Sequence, residues 1–184
     1  MMRRLVRITI AVALLAVGVI GYTAVMARIG SGTPPEMAAV ELQADEVIII
    51  KSTRELHLMQ RGATIRQYSI SLGADPIGHK LQEGDERTPE GRYTIDWRNP
   101  NSVAHLSLHI SYPNAEDVAA ADAQGVDAGG NIMIHGLPNG WGMVSQLHLF
   151  WDWTNGCIAV TNSEMREIWS LVPNGTPIEI VNAI

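Results

Sequence analysis

Residues 45 to 184 predict a mostly β domain with a few short peripheral helices, and three observations carry that expectation. Short runs of period-two apolar/polar alternation recur between Gly- and Asn-containing turns. Helical signals, a cap followed by an apolar period of about 3.6 residues, occur only twice after residue 45. The segment of about 140 residues is one domain by length, large enough for a single core, and shows no internal repeat.

In chain order, Val47 to Lys51 is a compact β-branched run, and Glu55-Leu56-His57-Leu58-Met59-Gln60 alternates. Arg61-Gly62 turns the chain into Thr64 to Leu72, which alternates again, so the opening reads as a meander. Arg92 to Trp97, Ala104 to Tyr112, Asn131 to His135 and Thr176 to Val181 are the remaining strand candidates. The first helix starts at Asn114 as N-cap, with Glu116 and Asp117 in its first turn to suit the helix dipole. The second has Thr161 and Glu164 in capping-box spacing, and Pro173-Asn174-Gly175 ends it. Its apolar face of Met165, Ile168, Trp169 and Val172 assigns Trp169 to the core.

Ahead of this domain, Arg3, Arg4 and Arg7 precede an uncharged run from Ile8 to Ala27, closed by Arg28. That run approaches the ~20 residues needed to span a bilayer, while Val25-Met26-Ala27 is an acceptable small-residue cleavage site. Residues 1–28 are thus a signal peptide or a single transmembrane anchor. The arginines hold the N-terminus in the cytosol and send the rest across, so the folded part is expected in the periplasm or cell envelope. The inner membrane is a partner if the segment is uncleaved. Residues 29–44, rich first in Gly, Ser and Pro and then in Ala and Glu, read as a linker with a helical turn or two.

Four of the 13 basic residues precede residue 29 and none of the 19 acidic ones does, which leaves 9 basic against 19 acidic, formally −10. Nucleic acid is excluded as a partner, because no basic stripe exists to release counterions. Carboxylates on a substrate would have to be met locally. Lys80, Arg87, Arg92 and Arg98 are the candidates, against the plainer reading of a solvated loop. His105, Ser107, His109 and Ser111 share one face of a strand, but residues four apart are separated by about 13 Å, too far to chelate one ion. No metal is expected there; that polar face, His109 in particular, is a candidate groove lining.

Cys157 is the single cysteine, in Thr154-Asn155-Gly156-Cys157. In an exported chain a lone cysteine is an intermolecular partner or a reactive thiol, although a buried inert one is common for the residue type. Gly156 permits a tight turn that presents the sulfur. Of six histidines, His135 is the best base: it ends the apolar run Ile132-Met133-Ile134, 22 residues before the cysteine. The competing reading is a core histidine. His148, flanked by Leu147 and Leu149, reads as structural or as rim. Trp141, Trp151 and Trp153 lie between base and nucleophile, either as a water-excluding lid or as packing.

Ile134-His135-Gly136, a spacer and Thr154-Asn155-Gly156-Cys157 resemble the signature of the YkuD-type (ErfK/YbiS/YcfS/YnhG) L,D-transpeptidase domain. Thr88-Pro89-Glu90-Gly91-Arg92-Tyr93 is similar to that family's Thr-Pro-x-Gly-x-Tyr/Phe segment, and the likeness spans residues 45–184. The resemblance implies an L,D-transpeptidase-like β-sandwich and a cell-wall enzyme acting on peptidoglycan stem peptides. In that chemistry Cys157 attacks the amide after the third residue of a tetrapeptide stem, with His135 taking the thiol proton as base or stabilising a preformed thiolate–imidazolium pair, and D-alanine leaves as the thioester forms. Gly156 and Asn155 would help hold the oxyanion, the Gly136 carbonyl would fix the imidazole tautomer, and Thr154, His109, Arg92 and Lys80 would meet substrate. A stem amine, a lipoprotein lysine or another amine acceptor would take the acyl group, forming L,D crosslinks or an attached amine. Water would make the enzyme a carboxypeptidase or an amidase releasing lipoprotein from peptidoglycan, the alternative. No cofactor is implied. Two departures stand out: Asn155 replaces the family's usual second histidine, and Ala159 replaces a common arginine. A non-catalytic wall-binding module would not need the thiol, and a redox protein would need a resolving cysteine that the chain lacks.

Overall fold

A computed structural model describes residues 2–30 and 33–183; Met1 of the expected signal or anchor, Ser31 and Gly32 of the expected linker, and Ile184 lie outside the described residues. Its strands are β1 (Glu46–Ile50), β2 (Glu55–Gln60), β3 (Ala63–Ser69), β4 (Gly91–Asn99), β5 (Ser107–Ile110), β6 (Met133–His135), β7 (Ile158–Ala159) and β8 (Pro177–Val181). They form one sheet in the order β3-β2-β1-β8-β4-β5-β6-β7. The expected sandwich is therefore a single sheet curled on itself. The bend falls in β4, where the register against β5 shifts between Ile95 and Arg98. Backbone bonds from Ser71 to Ala159 and back, 3.0 and 2.8 Å, bring the segment after β3 against β7 and tie the two ends of the curl together.

Both inner faces meet in one core. Val47, Ile49, Leu56, Leu58, Ile95, Leu108, Ile134, Ile158, Ile178 and Ile180 are buried there. The alternation read from the sequence is the burial pattern of β1 and β2, in which every second residue faces this core. Arg61 and Gly62 both have positive φ (53° and 77°), as a type I′ hairpin turn requires, and they link β2 to β3. Against β5 the core is closed by α3 (Asn162–Leu171), which buries Met165, Ile168, Trp169 and Leu171 and starts with the expected Thr161–Glu164 capping box. The other short helix, α2 (Ala115–Gln124), has Asn114 as its cap, as the sequence predicts.

The long N-terminal helix α1 (Met2–Ile29) buries none of its residues and is long and apolar enough to cross a membrane. The segment after it is less detached than a linker reading implies. Thr33 O accepts from Arg166, Ala38 N–H donates to Ser170 O, and Ala44 N–H donates to Leu171 O, so residues 33–44 lie along α3. A 3-10 turn at Val40–Leu42 is the helical turn expected there.

The connection between parallel strands β6 and β7 is a crossover, as parallel pairing demands. It holds a 3-10 segment at Gly142–Phe150, broken at Ser145, which no periodicity in the sequence announces. A second long loop, between β3 and β4, is tethered by Lys51. Its buried ammonium donates to Gly78 O (2.5 Å), Thr88 O (2.9 Å) and Glu90 Oε1 (2.9 Å). Burial depresses the Lys51 pKa, and the Glu90 carboxylate opposes that shift.

Lys51→Met would leave these three acceptors without a donor. We expect a loss of about 3 kcal/mol, the low end of the ~3–5 for removing one member of a buried pair, because Glu90 keeps some contact with water. Equilibrium urea unfolding of the full chain in mild detergent checks this; a loss below about 1 kcal/mol, the worth of one ordinary hydrogen bond, would show that the loop holds without its tether.

Candidate active site

β6 ends on His135, and Cys157 immediately precedes β7. The parallel register pairs Ile134 with Ile158 and His135 with Ala159. Cys157 therefore lies two residues before the histidine's partner, about 6.6 Å along the strand at ~3.3 Å per residue, on the neighbouring strand. Two residues that are 22 apart in sequence thus become neighbours.

His135 is buried, and its Nδ1 lies 2.6 Å from its neighbour's carbonyl, Gly136 O. A carbonyl only accepts, so Nδ1 carries the proton and Nε2 is left as the basic nitrogen. The ring packs edge-on to Trp153 at 5.8 Å. Burial pushes the His135 pKa down; the Gly136 carbonyl opposes this, and nearby His148 adds to it. Cys157 is partly exposed, and its thiol lies 3.6 Å from Asn131 O, which it can reach as donor. Burial raises the thiol pKa, while a Met133 backbone group and the Lys80 ammonium pull it the other way. Both shifts favour the neutral form. Each group taken alone is thus biased towards thiol and imidazole.

The turn that presents the sulfur is tightly made. Thr154 Oγ1 donates to Cys157 O (2.7 Å) and accepts from Gly156 N–H (3.2 Å). Gly156 has φ +110°, and a Cβ there would stand 2.5 Å from Arg87 O, so only glycine fits. Just upstream, Asp152 accepts from Leu72 N–H (2.8 Å) and from Arg54 Nη2 (2.7 Å) and Nε. Ala74 N–H donates to Thr154 O at 3.0 Å. These anchors hold the cysteine turn against the strand ends around residues 54 and 72. They also revise two expectations. The Thr154 hydroxyl is occupied in shaping the turn, and the Gly156 N–H is taken by that hydroxyl and does not point to an oxyanion.

A groove of about 660 Å³ contains Cys157 and Asn155, lined by Lys80, Glu83, Glu86 and Asp127. Of the cations expected to meet substrate, Lys80 alone is placed there, and it is buried in a bond to Asp85 (2.7 Å). The structure does not bring Arg92 to the thiol: it is exposed, paired with Glu179 at 3.1 Å, and lines a separate cleft with His79 and Glu90. Arg87 pairs with Asp75. Arg98 is structural, stacked over Trp169 at 4.6 Å and donating to Trp169 O and Val172 O at the end of α3. His109 also lies outside the groove. Its ring stacks on Trp97 at 4.8 Å, and Nδ1 meets Asp96 at 2.6 Å.

His148 is buried beside Ser71, whose Oγ lies 3.1 Å from its Nδ1, so it is a packing residue and not rim. Trp141, Trp151 and Trp153 line an apolar cleft with His148, on the His135 side of the site. Ala159, at the arginine position, is fully buried. Among the described residues, no three His, Cys, Asp or Glu side chains gather as a metal-holding group. The Lys51 tether and the Asp152–Arg54 clamp were missed in the sequence, where nothing but an isolated charge at each position hinted at them.

A curled, mostly β domain with a histidine and a cysteine on adjacent parallel strands is the class of protein that this geometry defines. Residues 44–180 match the YkuD family, the L,D-transpeptidase catalytic domain, and the chain belongs to that family. It is 28% identical over 177 residues to YafK of Escherichia coli K12, itself a provisionally assigned L,D-transpeptidase, covering 90% of this chain and 63% of that one. Among solved structures, Pgp2 of Campylobacter jejuni, a helical cell shape determining protein, superposes with TM-score 0.58 at 22% identity, covering 88% of this chain and 56% of that one. Bd1075 of Bdellovibrio bacteriovorus does so with TM-score 0.53 at 22% identity, covering 82% and 52%. The two structures share the fold. The chain spans less than two thirds of each of these relatives.

The bias of Cys157 towards the neutral thiol has a direct consequence. Alkylation of Cys157 by iodoacetamide should rise with pH, with a midpoint above the ordinary thiol value of about 8.5. Rates read by intact mass from pH 5 to 10 check this. A plateau already reached at pH 7 would reveal a preformed thiolate–imidazolium pair.

Proposed function

We propose that the chain is a cell-wall enzyme that modifies peptidoglycan stem peptides by acyl transfer through a Cys157 thioester, with His135 as general base. The observation that carries this reading is the fixed tautomer of His135, with its basic Nε2 available one parallel strand from the single cysteine. As substrate enters and water leaves, Nε2 takes the thiol proton, and the sulfur attacks the amide after the third stem residue. The departing D-alanine amine recovers that proton from the imidazolium. With Gly156 N–H occupied, the Cys157 amide and the Asn155 side chain are the oxyanion donors in this scheme, each worth about 2.7–4 kcal/mol in typical sites.

An amine acceptor then takes the acyl group. The groove supports an amine over a second carboxylate: Glu83, Glu86 and Asp127 line it, and its one cation, Lys80, is already paired. Hydrolysis is the second reading. It rests on the buried Ala159, which leaves no arginine beside the pair to hold a stem carboxylate. Residues 1–28 serve in this proposal as the anchor that holds residues 45–184 on the periplasmic face of the inner membrane. Residues 29–44 are the connection.

The test is incubation of the full chain in detergent with purified tetrapeptide muropeptides, with and without an amine acceptor, followed by weighing the products. Crosslinked or amine-bearing tripeptide stems are expected, and tripeptide stems alone would establish the hydrolytic reading. Cys157→Ala should abolish turnover. His135→Ala should lose about 10²–10⁴-fold, and His148→Asn less than roughly tenfold. Equal losses at His135 and His148 would reassign the base.

A further inference from the structure

The crossover between β6 and β7 does more than connect them. No Asp, Glu, Lys or Arg occurs between Asp127 and Asp152. Within that stretch Met143 and Phe150 are 83% and 78% exposed, and Leu147 and Trp151 are more than half exposed. Scattered apolar residues on a surface are ordinary, but an uncharged cluster of large ones next to an apolar cleft marks an interaction site.

The end of α1 seats against the start of this same segment. Tyr22 Oη donates to Gly140 O (3.0 Å), and Trp141 Nε1 donates to Thr23 Oγ1 (3.1 Å). The Tyr22 and Trp141 rings meet edge to face at 5.8 Å. Met26 packs so closely on Gly140 that a Cβ at that residue would meet it at 2.6 Å. The apolar segment is therefore continuous with the helix that is long and apolar enough to cross a bilayer.

The level of this contact matters. Tyr22 lies five residues before Ala27, the end of the uncharged run, which is about 7.5 Å along a helix rising 1.5 Å per residue. Elements lying in a membrane interface are buried about 5–10 Å into the boundary between headgroups and acyl chains, and Trp and Tyr are enriched at that depth. Trp141 and Trp151 suit such a position. Asp152, the first charge beyond the patch, is drawn back into its bonds with Arg54.

We propose that the segment from Trp141 to Trp151 is a membrane-contact surface, with Met143, Leu147, Phe150 and Trp151 dipping into the outer face of the bilayer that α1 crosses. The inference rests on the reading of α1 as an uncleaved anchor. It sets the height of the site: Trp153, in the same apolar cleft, is the ring that touches both His135 and His148. The base is one ring away from the lipid-facing wall, and the Cys157 groove is held close to the membrane plane.

Helix α1 contains no tryptophan, so tryptophan emission reports on the folded domain alone. The full chain would be reconstituted into phosphatidylethanolamine/phosphatidylglycerol vesicles containing dibrominated phosphatidylcholine. We expect quenching in the wild type, lowered in Trp151→Phe, where Trp141 keeps the remainder, and in Phe150→Asp, lost when Trp141→Phe and Trp151→Phe are combined, and unchanged in Trp97→Phe, with far-UV circular dichroism confirming the fold of each variant. A chain that resists carbonate extraction at full mass yet shows no quenching, or pairs with a second copy through this face, overturns the inference and leaves the anchor standing. A chain that carbonate releases, or that lacks its first 27 or so residues, removes the anchor reading and the inference together.

Discussion

Two very short strands paired in parallel, Met133–His135 and Ile158–Ala159, set the geometry on which the site depends. That ladder ends the strand order: β5 pairs β6 on one side, and the Ser71–Ala159 bridge closes the other onto the segment after β3. A one-residue slip would turn every β7 side chain to the opposite face. Ile158 would leave the core, so burial of Ile134 and Ile158 is what holds the register. The cost of keeping the histidine's immediate neighbourhood dry is a depressed pKa for His135 and a raised one for Cys157. In the proposed chemistry both shifts favour the neutral forms until proton transfer accompanies attack.

The turn carrying Cys157 is secured from outside the ladder. Asp152 ties it to Arg54, Thr154 folds it locally, and Gly156 lets the Arg87 backbone approach. Arg87 belongs to the loop that Lys51 tethers through Gly78, Thr88 and Glu90. A single buried ammonium at the end of β1 thus supports, at one remove, the wall behind Cys157.

Much of this was legible in the sequence, for reasons that differ by element. β1 and β2 bury one face, so alternation shows directly, whereas β3 is largely exposed and buries only Tyr68. The caps at Asn114 and Thr161 are local chemistry and need no tertiary context. His135 and Cys157 stand out in the sequence because a histidine ending an apolar run and a glycine before a lone cysteine are signals in themselves, and the strand register brings the two segments together. β7 has only two residues, too few for any period, and the 3-10 segment at Gly142–Phe150 follows no α period. Arg92 and His109, expected to meet substrate, lie outside the groove that holds Cys157, because strand-face parity says nothing about where a curled sheet carries that face. Thr154 and Gly156 were assigned to substrate and oxyanion, whereas the turn uses their polar groups on itself.

The central claim is that Cys157 becomes acylated by a stem peptide with His135 acting as base. Acid-quenched mixtures of the full chain and a tetrapeptide stem, resolved by intact and peptide mass, address it most directly. The account predicts one acyl adduct, confined to the peptide containing Cys157, formed in the wild type and accumulating far more slowly in His135→Ala. An adduct on any other residue, or turnover of the stem with Cys157 never modified, would contradict it.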